Sequence, residues 1–341
     1  MCIRDRTQTE NDAVASNTYT YSYNAANDLT AAAVTSGGGT SYGYSYDGDG
    51  NVLTKTAGSA TTTYAYNSAD QLCWAYSGVS SNPCSSAPTG ATTYSFDSDG
   101  NETGSSTGAA FSYNTKNQTT SMSYGSTTLS GLSYTDQGQG NRISAGSTSF
   151  DNSTSETAIS TISGSSTYYL TTGQGTVLGE RIGSAHNYFL TNALGSVVAV
   201  INGTGQTVSD RYGYDPYGNT TYASVTVPNP FGYAGGYTDS TGLIHFGARY
   251  YDPGTARWLQ VDPASLGTSS PYDYANDNAV LETDTQGTYP GVSSVGASVE
   301  WSWGVFGWTF HVVHIWLHAS QTVSYTHLPW HGAHHHLRVL P

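Results

Sequence analysis

Aromatic residues recur two apart along the first 135 positions, and each pair runs into a polar turn. Tyr19 to Asn24 reads Tyr-x-Tyr-x-Tyr-Asn, and Tyr42 to Asp47 reads Tyr-x-Tyr-x-Tyr-Asp. Tyr64-Ala65-Tyr66-Asn67, Tyr94-Ser95-Phe96-Asp97 and Phe111-Ser112-Tyr113-Asn114 repeat the theme, and Leu132-Ser133-Tyr134-Thr135 closes it. Side chains two apart share one face of a strand, so each unit predicts a strand with an aromatic face. The second aromatic falls at 23, 46, 66, 96, 113 and 134, giving intervals of 23, 20, 30, 17 and 21. Only the interval of 30 departs, and it holds an insertion containing Cys73 and Cys84. Turns such as Asp47-Gly48-Asp49-Gly50-Asn51 and Asp97-Ser98-Asp99-Gly100-Asn101 supply the positive φ that tight hairpins need. A short strand follows each turn, for example Val52-Leu53-Thr54, and then a Gly/Ser/Thr link. One such hairpin cannot bury its aromatic face alone, whereas stacked neighbours can.

Composition sharpens this picture. Charged residues make up 10% of the chain, with 10 Lys+Arg against 24 Asp+Glu and a net charge of −14. That balance provides no basic stripe for phosphates, which excludes nucleic acid as a partner of this segment. It also disfavours anionic membranes. Scarce aliphatics would ordinarily argue disorder, but 28 Tyr, regularly spaced, argue tyrosine-built β-structure instead. Cys73 and Cys84, eleven apart, either close a surface loop as a disulfide, which suits an extracellular protein, or remain half-buried thiols. Neither a CxxC pair nor a Cys/His grid is present. The DGDGN turn fails as a calcium loop, because the twelfth position is Gly58 counted from Asp47 and Gly108 counted from Asp97. No cofactor or metal is expected.

The two ends differ from the rest. Met1 to Arg6 reads MCIRDR and Val323 to Leu328 reads VSYTHL, both similar to translated sequencing adapter in metagenomic reading frames. Eight of the ten His lie beyond Trp308. Residues 1–6 and 323–341 are therefore read as artefact and set aside. The expectation is a segment of about residues 7 to 322 cut from a longer protein, for which the lack of a signal peptide says nothing about export.

From Tyr188 the pattern becomes denser. Asn192-Ala193-Leu194-Gly195-Ser196-Val197 precedes Tyr214-Asp215-Pro216-Tyr217-Gly218-Asn219, followed by Tyr233-Ala234-Gly235 and Thr241-Gly242-Leu243. Ala248-Arg249-Tyr250-Tyr251-Asp252-Pro253, Arg257-Trp258-Leu259-Gln260 and Asp262-Pro263 complete a block from Phe231 to Pro263. In these residues the chain resembles the Rhs/YD-repeat proteins and their repeat-associated core, over about residues 19 to 288. The resemblance implies a β-shell closed around a variable C-terminal polypeptide. It also implies that two aspartates, at the positions of Asp262 and Asp284, act as an aspartyl protease that cuts the chain between about 287 and 290. One carboxylate would serve as base and one as acid, since two carboxyls in contact share a proton. Arg249 and Arg257 are candidates to fix the site's geometry or charge. The family's Asp-Pro-x-Gly appears here as Asp262-Pro263-Ala264-Ser265 and Asp284-Thr285-Gln286-Gly287, and Asp277-Asn278-Ala279-Val280 also departs. Fewer prolines leave the backbone freer. In the plainer reading, Asp252, Asp262 and Asp284 are turn or cap residues of a plug.

Beyond the plug, Val292 to His318 reads VSSVGASVEWSWGVFGWTFHVVHIWLH. Trp301, Trp303, Val305 and Phe306, Trp308, Phe310 suit two sides of a hairpin. Trp301 to Leu317 is 17 residues, short of the roughly 20 that a membrane span needs. His311, His314 and His318 fall at helical spacing. The expected fold is all-β: a spiralling sheet of YD-repeat hairpins forming part of a hollow shell, with a C-terminal core plug. The expected divisions are a repeat array over 7–187, a core over 188–290 and a truncated variable region over 291–322. The expected role is a secreted or cell-surface toxin shell that encapsulates its own C-terminal effector and frees it by self-cleavage. Secretion machinery or cell-surface carbohydrate would be further partners. The alternative is a wall-associated adhesion protein whose tyrosines stack on sugars.

Overall fold

The computed structural model describes residues 9–12, 17–135, 141–151, 159–162, 164–172, 176–204, 207–263, 270–288, 291–292, 295–299, 304–305, 308–309 and 313–317. The two ends set aside above, and Ala264-Ser265, lie outside the described residues. The chain divides into two compact units, Met1–Ser293 and Ser294–Pro341.

In the first unit, twelve strands from Thr9–Asp12 to Thr127–Ser130 follow one another across one antiparallel sheet in chain order. Ten more, from Ser133–Tyr134 to Thr220–Ser224, do the same in a second sheet. Leu132 N–H donating to the Thr120 carbonyl (3.1 Å) and Gly146 N–H to the Ser130 carbonyl (2.8 Å) carry the wall from one to the other. The strand Ala185–Thr191 runs unbroken across position 188. A uniform meander follows from the repeat, because each unit contributes one strand, one turn and the next strand.

The alternation behaves as the period of two requires. Tyr42, Tyr44 and Tyr64 turn inward and are buried. Outside the first sheet, hydroxyl pairs bridge neighbouring strands, as in Ser45–Thr54 (2.6 Å) and Ser95–Thr103 (2.9 Å). The second aromatic of the unit has a separate task. The hydroxyls of Tyr46, Tyr66, Tyr113, Tyr134 and Tyr214 donate to the carbonyls of Leu29, Val52, Glu102, Thr119 and Val197. Each acceptor is the first residue of a strand in the preceding unit. Phe96 has no hydroxyl to offer; its ring packs edge-on against Tyr272 instead, at 5.9 Å between centroids.

The turns share one bonding scheme. The side-chain oxygen of the first turn residue accepts N–H groups two and four positions on: Asp47 from Asp49 (3.0 Å) and Asn51 (2.9 Å), Asn67 from Ala69 (2.9 Å) and Gln71 (3.0 Å). Asp97, Asn114, Asn192 and Asp215 do the same. These side-chain oxygens brace each turn from within, as Asx turns do in hairpins. Cys73 and Cys84 form a disulfide with Cα atoms 5.3 Å apart, closing the insertion.

The plug is a small four-stranded sheet of Tyr237–Thr238, Ile244–Phe246, Arg249–Asp252 and Arg257–Trp258, with the segment to Thr288 folded on it. Tyr233, Tyr251, Trp258 and Tyr274 join the buried wall residues Tyr21, Tyr42, Tyr44 and Tyr64 in one core. Tyr250 and Leu259 meet Phe111 and Met122, and Phe231 meets Tyr169 and Phe189. Each fully buried aromatic contributes about 1.5–3 kcal/mol before ordering costs. Polar staples accompany them: Lys55 to Asp215 at 2.8 Å, Arg142 to Asp239 at 2.5 Å, and Tyr272 hydroxyl to the Gly100 carbonyl at 2.6 Å.

In the second unit, Val295–Val299 pairs antiparallel with Val313–Leu317, and Gly304–Val305 with Trp308–Thr309. His314 thus lies in a strand, and pairing across the hairpin overrides the helical spacing of the histidines. His311 and His318, like Trp301, Trp303, Phe306 and Phe310, lie outside the described residues.

Candidate functional site

Arg249 opens a strand that is buried on both faces. Its neighbours are delivered by the two segments that fold back over it. The strand Arg257–Trp258 pairs with Tyr251–Asp252, and Leu259 N–H donates to the Tyr250 carbonyl at 2.9 Å, which returns the chain past Arg249. Asp262 N–H then bonds the Pro271 carbonyl at 3.1 Å and fixes that carboxylate in place. From the other side, Ala248 N–H holds the Gln286 carbonyl at 3.0 Å, bringing residues 284–288 against the strand start.

The result is a convergence on one guanidinium. Arg249 Nη2 donates to Asp262 Oδ2 at 3.1 Å and to Asp284 Oδ2 at 3.0 Å. Its Nε donates to the Gly287 carbonyl at 2.7 Å and its Nη1 to the Pro271 carbonyl at 3.2 Å. The three side chains are only 1–3% exposed. Burial lowers the pKa of Arg249, and the charges of Asp262 and Asp284 pull it back up; a guanidinium stays charged in such a setting. Thr288 N–H donates to Asp284 Oδ1 at 3.1 Å. Both sides of the Gly287–Thr288 peptide bond are thereby held, the carbonyl by Arg249 and the N–H by Asp284.

Glycine is required twice here. Gly287 has φ +64°, and a Cβ would stand 2.7 Å from the Phe246 carbonyl oxygen. Gly247 has φ +43°, and its Cβ would meet the Gln286 carbonyl at 2.5 Å. Two backbones approach closely at this point, and any side chain would drive them apart. The Asp284 carboxylate is held from both sides here, Oδ2 by Arg249 and Oδ1 by the Thr288 N–H.

Of the four residues expected at the site, Asp262, Asp284 and Arg249 come together. Arg257 points elsewhere. Its Nη1 donates to Asn51 Oδ1 at 2.8 Å and its Nη2 to the Asp70 carbonyl, and its guanidinium lies over Tyr66. The reason is topological: 257 and 249 start neighbouring antiparallel strands from opposite ends, so their side chains serve different surroundings. Asp252, weighed as a turn residue, behaves as one, with Oδ1 accepting from Gly254 N–H at 2.8 Å. Two residues went unnoticed in the sequence. Trp258 lies beneath the Arg249 guanidinium, and Tyr274 has its pKa raised by burial and then by the charge of Asp284. The Arg-Trp dipeptide at 257–258 was the available signal for the first. Among the described residues no cluster of His, Cys, Asp and Glu suits a metal ion, and no helix is long and apolar enough to cross a membrane.

Comparison with known families agrees with this architecture. A model of the Teneurin YD-shell matches residues 4–274, well over half of the sequence. The chain belongs to the Teneurin YD-shell family. Among curated relatives of this YD-shell segment, the tRNA(Glu)-specific nuclease WapA of Bacillus subtilis subsp. natto is 39% identical over 105 residues, covering 28% of this chain and 4% of that one. Toxin subunit YenC1 of Yersinia entomophaga is 34% identical over 110 residues, covering 30% and 11%. The YD-shell chain thus spans a small part of the length of either. The solved TcdB2-TccC3-Cdc42 complex aligns over 80% of this chain and 18% of that one, with 17% identity and a TM-score of 0.43.

Proposed function

We propose that this chain is the wall-and-plug portion of a secreted or cell-surface toxin shell that encloses the polypeptide following it and cuts that polypeptide free. The observation that carries the reading is the convergence of Asp262, Asp284 and the Gly287 carbonyl on the single guanidinium of Arg249. The bond between Gly287 and Thr288, inside the expected 287–290 window, is the one presented to the acids. In the hydrolysis, Asp262 takes a proton from water as its oxygen attacks the Gly287 carbonyl carbon. The oxygen that gains charge is already bonded to Arg249 Nε, an arrangement that favours the transition state. In the intact chain the Thr288 N–H donates to Asp284 Oδ1 at 3.1 Å; as the C–N bond breaks and that nitrogen becomes pyramidal, Asp284, protonated for this step, gives it a proton. The products are a Gly287 carboxyl group and a free Thr288 amine.

Membership of the shell family and the relatives' names, a nuclease and a toxin subunit, support an effector as the enclosed partner. The sugar-stacking alternative needs tyrosines in an open groove, whereas Tyr42, Tyr44 and Tyr64 are 8%, 6% and 5% exposed. Intact mass of the purified chain after overnight incubation tests the reading, beside Asp262→Asn and Asp284→Asn. The expected result is loss of the tail beyond 287–290 in the unaltered chain, slowed at least about a hundredfold in either variant. If all three stay whole, the protease reading fails and the aspartates are structural members of the plug.

A further inference from the structure

We propose that Trp258 is a positioning residue for Arg249, its indole face setting the plane in which the guanidinium engages both aspartates and the Gly287 carbonyl. The inference rests on the self-cleavage reading and extends it to a residue that touches none of the reacting atoms.

Four contacts at the edge of Arg249 demand one orientation. Nε must meet Gly287, Nη1 must meet Pro271, and Nη2 must divide itself between Asp262 and Asp284. All lie in the guanidinium plane, because that is where the N–H groups point. Hydrogen bonds bend easily, so these four resist rocking of the plane only softly, and a small tilt would lengthen the 2.7 Å bond to Gly287. Trp258 adds a stiffer restraint. The Arg249 Cζ lies 4.2 Å from its ring centroid, within the range of a strong cation–π contact, and the indole is 2% exposed. In turn the indole is fixed by Phe246, Tyr251 and Tyr274, with centroids 5.8, 5.5 and 5.7 Å away. Its own backbone N–H is bonded to the Tyr272 carbonyl at 3.1 Å. A rigid aromatic box therefore sets the tilt of the charge that the aspartates share.

The test uses the full chain and compares first-order rates of tail loss, by intact mass, for Trp258→Leu, Trp258→Phe and Trp74→Leu. Trp74 is similarly buried, at 1% exposure, but its indole N–H bonds the Pro83 carbonyl of the disulfide loop rather than facing a guanidinium. It reports what loss of a large core ring does by itself. Rates are read at a temperature where circular dichroism shows each variant folded. Trp258→Leu is expected to slow scission about thirtyfold, the worth of a desolvated cation–π contact. Trp258→Phe, which keeps a π face, should stay within about fivefold of the unaltered chain. Trp74→Leu should lower Tm while leaving the rate unchanged. Equal slowing by Trp258→Leu and Trp74→Leu would overturn the proposal, as would a Trp258→Phe as slow as Leu. If Trp258→Leu does not fold, Trp258→Met, also without a π face, takes its place with the same expected slowing, and a Met variant as fast as the unaltered chain overturns the role. No scission in the unaltered chain would sink the protease reading itself, and this inference with it.

Discussion

Arg249 and Arg257 stand eight residues apart in one plug, each buried and each over an aromatic ring, yet they do opposite things. Arg257 reaches across some two hundred residues of sequence to neutral acceptors in the wall, the Asn51 side chain and the Asp70 carbonyl. Arg249 stays within the plug and binds two carboxylates and a carbonyl that lies beside them. A cation whose hydrogen bonds go to neutral oxygens is a fastener, even where its field reaches a carboxyl such as Glu102. A cation between two carboxylates and a peptide carbonyl controls where protons and developing charge can settle. Burial and residue type do not distinguish the two; the partners do.

The comparison can be broken most forcefully by removing each guanidinium. Arg249→Ala leaves two buried carboxylates facing one another and should cost about 3–5 kcal/mol of stability together with all scission. Arg257→Ala should cost about 1.5–3 kcal/mol, from hydrogen bonds to a charged donor, while molecules that remain folded still cut themselves. Urea titration and intact mass on the same samples separate the two effects. Loss of scission in a folded Arg257→Ala would erase the distinction drawn here.

A subtler break uses Glu102, buried near Asp252 and within the field of Arg257. Burial, and secondarily Asp252, pushes its pKa up to about 8, against an ordinary 4.5, while Arg257 lowers it. The fold therefore holds more protons than the unfolded chain between those values, and stability falls as pH rises from about 4.5 to about 8. Each unit corresponds to about 1.4 kcal/mol, so the loss across the window is on the order of a few kcal/mol. Glu102→Gln should flatten that slope and be the more stable protein at pH 8. A pH series of denaturant midpoints that is unchanged by the substitution would contradict this.

The smallest effect lies in the wall. Tyr113→Phe removes one hydroxyl bond to the Glu102 carbonyl and should cost about 1 kcal/mol, with scission intact. Phe96 already occupies the equivalent place in its unit, so the ring itself is tolerated there.

Most of the wall could be read from the sequence, because period-two aromatics and Asp/Asn-x-x-Gly turns are local signals that stacking reinforces. The pairing of Asp262 with Asp284 and Arg249 was legible through family resemblance alone; nothing in spacing of 22 residues brings two carboxylates onto one donor. The partners of Arg257, Asn51 and Asp70, belong to two turns of the wall far off in sequence, and local pattern carries no such address. Trp258 escaped notice for a related reason. An aromatic in a core strand looks the same whether it packs on a methyl group or under a guanidinium. The hydroxyl-bearing second tyrosine was visible as a repeat, but its acceptor one unit back was not.

Those hydroxyl bonds give the wall a direction. Each tyrosine fastens the start of the second strand of the unit before it, so a unit is secured only once its successor exists. On a ribosome adding about 5–20 residues per second, with units some twenty residues long, every completed strand waits a second or a few for its fastening. Assembly then advances like a zip drawn from the N-terminal end, always with one loose tooth. The plug, synthesised after the wall, reaches the last of these turns with two tyrosines of its own, the hydroxyls of Tyr233 and Tyr251 donating to the Pro216 and Tyr217 carbonyls.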